Sequence, residues 1–122
     1  GYPLVANQQA AQNSENAMSP EQFTQIVNTE ELVFFDFYAP WCAPCRMMMP
    51  MIDSLTKEYL GKVNIIKINT DASRSLMQQL NVRSIPFFVL FRKQEAVFMH
   101  TGMITRDELE KVFLENISTL EE

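Results

Sequence analysis

The apolar run from Leu32 to Tyr38, which only Asp36 interrupts, constrains the fold more than any other feature of this chain. It has the length of a strand, it is rich in Phe, and it places apolar side chains on both of the faces between which a strand alternates. A strand of this kind is typical of a sheet that is covered on both faces. We therefore expect a central β-strand enclosed between layers of helices.

Helix and strand patterns alternate on either side of this run. Ser19, followed by Pro20 and then by Gln22, forms a capping box that predicts the start of a helix. The patterns predict, in chain order, a helix from 19, a strand over 32–38, a helix over 42–60, a strand over 63–68, a helix over 73–80, strands over 87–92 and 96–101, and a helix from 105. The early alternation requires parallel strands, whereas the two late strands, separated by three residues, predict an antiparallel hairpin. The fold class is therefore α/β, a mixed central β-sheet flanked by helices on both faces, in the order α-β-α-β-α-β-β-α.

The long helix over 42–60 and the strand that follows it should contribute to the core. Pro50 falls inside the helix and should kink it, and Gly61 should end it. We expect the strand over 63–68 to be buried. The helical periodicity predicts the following inward-facing side chains: Met47, Met48, Met51, Ile52, Leu55 and Tyr59.

Length and charge limit the possible classes of function. A chain of 122 residues forms one domain, and its net charge of -5 argues against a nucleic-acid partner, because phosphates require a basic surface. No apolar run approaches the about 20 residues of a membrane span. We assign residues 1–18 to a flexible polar tail and residues 19–122 to the folded domain. The tail has the character of a spacer behind a removed signal or lipid anchor, which favours a bacterial envelope or periplasmic location over the cytoplasm.

Cys42 and Cys45 are the only cysteines and lie where the central strand gives way to a helix. The unpaired N–H groups and the dipole at a helix N-terminus stabilise an anion, so the pKa of the Cys42 thiol should lie below that of a free thiol. A thiolate attacks disulfides, which makes Cys42 a candidate nucleophile. Cys45 lies one helical turn further on and should be less exposed, where it can resolve a mixed disulfide.

Two other interpretations of the cysteine pair remain open from the residues alone. A zinc site needs four ligands, and the only other soft ligand in the chain is His100. A purely structural disulfide would close so short a loop that it would remove little entropy from the unfolded chain.

The segment Phe37-Tyr38-Ala39-Pro40-Trp41-Cys42-Ala43-Pro44-Cys45 resembles the active-site segment of thioredoxins and of the catalytic domains of protein disulfide isomerases. The resemblance covers residues from about 19 to 120 and implies the thioredoxin fold. It includes the following further matches: Asp36 to a buried aspartate, Pro50 to a helix-kinking proline, Lys67 to a lysine near that aspartate, Ile85-Pro86 to a cis-proline element, and Thr101-Gly102 to a glycine before the last helix.

The resemblance implies four catalytic residues and a surface for partner proteins. Cys42 and Cys45 would exchange thiols for disulfides, Asp36 would accept the proton of Cys45 with a pKa raised by burial, and Lys67 would moderate Asp36. Two alternatives are that Asp36 sits at a strand end in solvent and that Lys67 only extends to the surface. The implied substrate-binding residues are Trp41, Ala43, Pro44, Ile85, Pro86 and Gly102. For Trp41 the alternative is simple packing.

The sequence departs from common thioredoxins in three respects. Ala43 stands where a glycine is usual between the cysteines, and this position affects the redox potential. The hairpin turn at 93–95 lacks a glycine. The usual first strand is weak or absent, with only residues 3–5 as a candidate.

These observations favour a thiol-disulfide oxidoreductase that reduces disulfides in proteins. A disulfide isomerase or oxidant is the alternative within the same chemistry, and a docking module with incidental cysteines is the alternative outside it. We expect disulfide-containing protein substrates, an external thiol reductase as electron donor, and a monomer. The chemistry calls for no metal, nucleotide or flavin.

Overall fold

The computed structural model describes residues 15–121. Its elements are helix α1 (Pro20–Val27), strand β1 (Leu32–Tyr38), helix α2 (Ala43–Glu58), strand β2 (Val63–Asn69), a 3-10 turn (Thr70–Ala72), helix α3 (Arg74–Leu80), strands β3 (Phe87–Arg92) and β4 (Glu95–Thr101), and helix α4 (Arg106–Glu121). The predicted order of helices and strands is confirmed, with the 3-10 turn as an addition.

The four described strands form one mixed sheet in the order β2-β1-β3-β4. β1 runs parallel to β2 and antiparallel to β3, and β3 runs antiparallel to β4. All seven residues of β1 are buried, which confirms the central strand. The prediction of a buried β2 is wrong in part, because Asn64 is exposed and the next three residues are only half-buried. Within the described sheet, β2 has a neighbouring strand on one side only.

Helices cover both faces of β1, as its two-sided apolar pattern predicted. Leu32 and Phe34 belong to a core cluster with α2 and α4, in which the ring centroids of Phe34 and Phe113 are 5.0 Å apart. Val33, Phe35 and Phe37 face the other way and pack with α1 and α3. The residues of the strand are thereby fixed alternately in two cores, so Asp36 must lie on the α2 and α4 side.

Helix α2 follows the predicted stripe except at Met47. Met48, Ile52 and Leu55 are buried, and Tyr59 follows them at the C-cap. Met47 is 70% exposed, so its inward assignment is wrong. Adjacent helical residues are about 100° apart around the axis, and the burial of Met48 therefore turns Met47 towards solvent. Pro50 lies inside the helix.

The hairpin between β3 and β4 is tighter than predicted. Its turn consists of the two residues Lys93 and Gln94, because Glu95 already pairs with Arg92 in β4. The expectation of three turn residues is therefore wrong by one. Both turn residues have positive φ, 49° and 70°, which is the backbone of a two-residue turn that matches the twist of the strands.

Both predicted capping positions accept backbone hydrogen bonds. Ser19 and Gln22 form the complete reciprocal capping box at the start of α1. At the start of α4, Thr105 Oγ1 accepts the N–H of Glu108 at 3.2 Å. No helix within residues 15–121 is long and apolar enough to cross a membrane.

The packed unit begins before the expected boundary at Ser19. The carbonyl of Asn16 accepts the N–H of Asn69 at 3.0 Å, and its side-chain amide donates to the Tyr38 hydroxyl at 2.8 Å. The N–H of Met18 donates to Ser73 Oγ at 2.9 Å. Asn16 is thus tied to the ends of β1 and β2, and Met18 to the N-cap residue of α3. The expected candidate strand over 3–5 lies outside the described residues.

Candidate active site

The two cysteines lie at the junction between β1 and α2, where the sequence predicts them. Cys42 is the N-cap of α2, with an extended backbone at φ -81° and ψ 107°. Its N–H donates to the carbonyl of Ala39 at 3.1 Å. Its Sγ accepts the N–H of Cys45 at 3.3 Å. A sulfur atom therefore occupies the position in which Ser or Asp oxygens normally cap a helix.

Cys42 and Cys45 are bonded to each other as a disulfide, with their Cα atoms 5.3 Å apart. The described structure is therefore the oxidised form. The expected difference in exposure between the two residues is absent, since Cys42 is 4% exposed and Cys45 is 3% exposed. Tyr38, Ala39 and the half-buried Ile85 pack around the pair. Both cysteines are therefore almost fully buried in the oxidised form.

The electrostatic setting at the start of α2 favours a negative charge on Cys42. The first turn of this helix contains no acidic residue. It contains Arg46, whose guanidinium donates to the carbonyl of Pro40 at 2.9 Å and so stays beside the loop before the cysteines. The helix N-terminus and a nearby cation both stabilise a thiolate. The sequence interpretation did not include Arg46, although its place directly after Cys45 was the available signal.

Asp36 is buried on the α2 and α4 side of the sheet. It is 3% exposed and lies inside β1, which continues for two further residues, so the alternative of a solvent-exposed strand end is wrong. Burial raises the pKa of Asp36 from 3.8 to about 7, while the charge of Lys67 lowers it and that of Asp53 raises it. A carboxyl with this pKa exchanges its proton near neutral pH.

Lys67 lies directly across from Asp36 in the register between β1 and β2. The ammonium group forms an ion pair with Asp53 on α2. The predicted role of Lys67 as a moderator of Asp36 remains a prediction, and the hydrogen-bonded partner of Lys67 is Asp53, a residue that sequence reasoning missed. The signal for Asp53 was its position on the stripe of α2 that contains Cys45 and Met49 at spacings of four residues.

Trp41 extends from the loop before Cys42. Its side chain is 68% exposed, so it is not a core residue. Its indole N–H donates to Asp71 Oδ2 at 3.0 Å. Asp71 is the third residue that sequence reasoning missed, and it is the hydrogen-bond acceptor of the exposed ring. Ala43 and Pro44, the residues between the cysteines, are also exposed.

The Ile85–Pro86 peptide bond is cis, as the resemblance implied. Ile85 packs against the cysteine cluster and Pro86 is buried. The N–H of Gly102 donates to the carbonyl of Pro86 at 2.8 Å, which places the end of β4 beside the proline. Gly102 has a φ of +94°, a conformation that side chains rarely adopt.

No cluster of three or more His, Cys, Asp or Glu side chains suited to a metal ion occurs within residues 15–121. His100, the remaining candidate ligand from the sequence, contacts the carbonyl of Met103 through Nε2 at 2.9 Å. A cysteine that caps a helix and is bonded to a second cysteine one turn later, with a buried carboxyl on the preceding strand, defines a thiol-disulfide oxidoreductase.

Comparison with known proteins identifies the family. Residues 14–115 match the thioredoxin family model. The chain is 35% identical over 94 residues to the thioredoxin of Porphyra purpurea, covering 77% of this chain and 88% of that protein. It is 38% identical over 84 residues to the thioredoxin of Haemophilus influenzae, covering 69% and 78%. The solved structure of Plasmodium falciparum thioredoxin matches with a TM-score of 0.72 at 27% identity, covering 82% of this chain and 97% of that chain. The protein belongs to the thioredoxin family and is a protein-disulfide oxidoreductase with the thioredoxin fold.

Proposed function

We propose that this protein is a disulfide reductase that uses the Cys42–Cys45 dithiol to reduce disulfides in other proteins. The observation that carries this proposal is the capping position of the Cys42 sulfur, which accepts a helix N–H while a buried carboxyl lies on the adjacent strand. The first feature favours attack by Cys42, and the second supports the release of the substrate by Cys45.

The reaction starts from the reduced dithiol. The Cys42 thiolate attacks one sulfur of a substrate disulfide, a mixed disulfide forms, and the other substrate sulfur leaves as a thiolate that takes a proton from solvent. The N–H of Cys45 lies 3.3 Å from the attacking sulfur in the oxidised form and would hold the thiolate in the same position. Attack by Cys42 rather than Cys45 follows from the stabilisation of its anion at the N-cap.

Cys45 completes the reaction. Its thiol must lose a proton before it attacks Cys42 Sγ, and we assign this proton to the Asp36 carboxylate, directly or through a water. The attack forms the Cys42–Cys45 bond and releases the second substrate sulfur, which takes up a proton. Two electrons have then moved from the dithiol to the substrate, and an external thiol reductase must return them. Lys67 moderates the pKa of Asp36 during this step.

The substrate would dock on the surface around the cysteines. Trp41, Ala43 and Pro44 are exposed beside Cys42, and the cis peptide of Ile85 and Pro86 lies against the cysteine cluster. An extended substrate segment could pair with the backbone of Ile85, in the manner of an added strand, while Gly102 leaves room next to Pro86. Because every group in this scheme belongs to one chain, we also propose that the protein acts as a monomer.

Reduction of insulin by dithiothreitol tests the proposal. We expect the wild-type protein to accelerate precipitation of the insulin B chain and the Cys42→Ser variant to give no acceleration. In a separate incubation without dithiothreitol, the Cys45→Ser variant should retain a covalently bound substrate through Cys42, which later addition of dithiothreitol releases. A wild-type protein that does not accelerate the reaction would contradict the proposal and favour a docking module.

The redox potential decides the direction of electron flow. We expect the Cys42–Cys45 pair, equilibrated with glutathione, to have a potential close to about -270 mV, the value for reducing members of this chemistry, rather than about -120 mV for oxidants. A value near the oxidising end would replace the reductase by an oxidant or isomerase, with the catalytic residues unchanged.

A further inference from the structure

Three charged side chains of increasing exposure lie on the face of the sheet that α2 covers. Asp36 on β1 is buried, the Lys67 side chain on β2 is 26% exposed, and the Asp53 side chain on α2 is 52% exposed. Residues paired across two parallel strands place their side chains on the same face of the sheet, so Lys67 and Asp36 both face α2. Lys67 thus stands between a carboxyl in the core and a carboxylate in solvent.

The cation nearest to Asp36 in the strand register, Lys67, is paired with Asp53 instead. The Lys67 ammonium is bonded to Asp53 Oδ1, and no ion pair between Lys67 and Asp36 occurs within residues 15–121. A cation beside a buried carboxyl stabilises the ionised form, and a second carboxylate that neutralises and holds this cation weakens that stabilisation. Asp53 therefore influences Asp36 both through its own negative charge and through the position of Lys67.

We propose that Asp53 is a positioning residue that holds Lys67 away from Asp36 and thereby sets the pH range in which Asp36 exchanges its proton. The consequence for Cys45 rests on the proposed function, in which Asp36 is the base. The effect of Asp53 on the titration of Asp36 does not depend on that role.

The other titratable groups around Asp36 are engaged elsewhere or lie further away. The strand β3 places the apolar Phe88 beside Asp36, and His100 of β4 lies one strand beyond it, in contact with the carbonyl of Met103. The helix α4 contributes Arg106 and Glu110, which contact each other, Glu58 and Tyr59. The helix α2 contributes the two cysteines, joined as a disulfide, and Asp53. On β1 itself, the hydroxyl of Tyr38 accepts from Asn16.

Titration of Asp36 by NMR, with carbon-13 in the aspartate carboxyl groups of the oxidised full chain, tests the inference. We expect Asp53→Asn to lower the pKa of Asp36 by about half to one pH unit, because a repelling charge is lost and Lys67 is released towards Asp36. Asp53→Glu should restore the wild-type midpoint. In a Lys67→Met background, the effect of Asp53→Asn should fall to less than half, since the mediating cation is absent.

The matched control is Glu58→Gln. Glu58 lies on the same helix, its side chain is also 52% exposed, and it forms an ion pair with a cation on another element, Arg106. Both residues are solvent-exposed, so both variants should fold. We expect the midpoint of Asp36 in Glu58→Gln to equal that of the wild type. An equal midpoint in Asp53→Asn and Glu58→Gln would overturn the inference.

A second measurement separates the inference from the proposed function. The rate at which Cys45 resolves a mixed disulfide should show a pH profile displaced to lower pH in Asp53→Asn, by the same amount as the NMR midpoint. A displaced midpoint with an undisplaced profile would uphold the influence of Asp53 on Asp36 and would refute Asp36 as the base for Cys45.

Discussion

Replacement of Asp36 by Asn should stabilise the protein in a strongly pH-dependent manner. Burial raises the pKa of Asp36 to about 7 from 3.8, so the folded state binds this proton more tightly than the unfolded state. The contribution of Asp36 to the unfolding free energy of the wild-type protein is therefore most favourable below about pH 4. The protein loses this contribution as the pH rises towards about 7, and the loss then levels off because both states are ionised.

The size of the effect follows from the difference between the two pKa values. At about 1.4 kcal/mol per pKa unit, ionisation of Asp36 should cost the wild-type protein about 4 kcal/mol of unfolding free energy at pH 8 and less than about 1 kcal/mol at pH 4. Asparagine has nearly the same shape and does not titrate. The unfolding free energy of Asp36→Asn, measured relative to that of the wild type, should therefore rise by about 3 to 4 kcal/mol from pH 4 to pH 8.

Urea unfolding of the oxidised proteins at several pH values, followed by far-ultraviolet circular dichroism, measures this difference. Any change in unfolding free energy that the buried amide itself causes does not depend on pH, so it cancels when values at different pH are compared. The other titrating groups contribute nearly equally to both proteins. A difference in unfolding free energy between wild type and Asp36→Asn that stays constant from pH 4 to pH 8 would show that Asp36 is not buried with a raised pKa. The same variant should slow release of the substrate by Cys45 if Asp36 is its base.

Two further predictions concern the core and the exposed tryptophan. Phe113→Ala should reduce the unfolding free energy by about 3 to 5 kcal/mol, because Phe113 is fully buried against Phe34 and Tyr59. The neighbouring Leu114 is 56% exposed, so Leu114→Ala should change the unfolding free energy by less than about 0.5 kcal/mol. Equal losses of unfolding free energy in the two variants, measured by urea unfolding, would contradict the assigned core. Asp71→Ala should lower the fluorescence anisotropy of Trp41, the only tryptophan of the chain, because it removes the acceptor of the indole N–H. Unchanged anisotropy would mean that Asp71 does not orient the ring.

The sequence predicted the elements of the fold because their signals lie among neighbouring residues. The apolar run at 32–38 specified a strand buried on both faces, and the capping residues Ser19 and Thr105 marked the starts of two helices. Its predictions failed where a shift of one residue changes the result, either the side of a helix on which a side chain lies or the length of a turn. Met47 was assigned to the core although Met48 occupies that position, and the turn at Lys93 was predicted one residue too long.

By itself, the sequence determined that a dithiol stands at the start of a helix that follows a central strand, since strand, cap and cysteines are contiguous in the chain. Only the tertiary structure decided which charged groups surround that dithiol. Lys67 reaches Asp53 over a sequence separation of 14 residues, and Trp41 reaches Asp71 over 30. Such pairs depend on how the elements pack together: local periodicity indicates the helix face on which a residue such as Asp53 lies, but it does not identify the partner on another element.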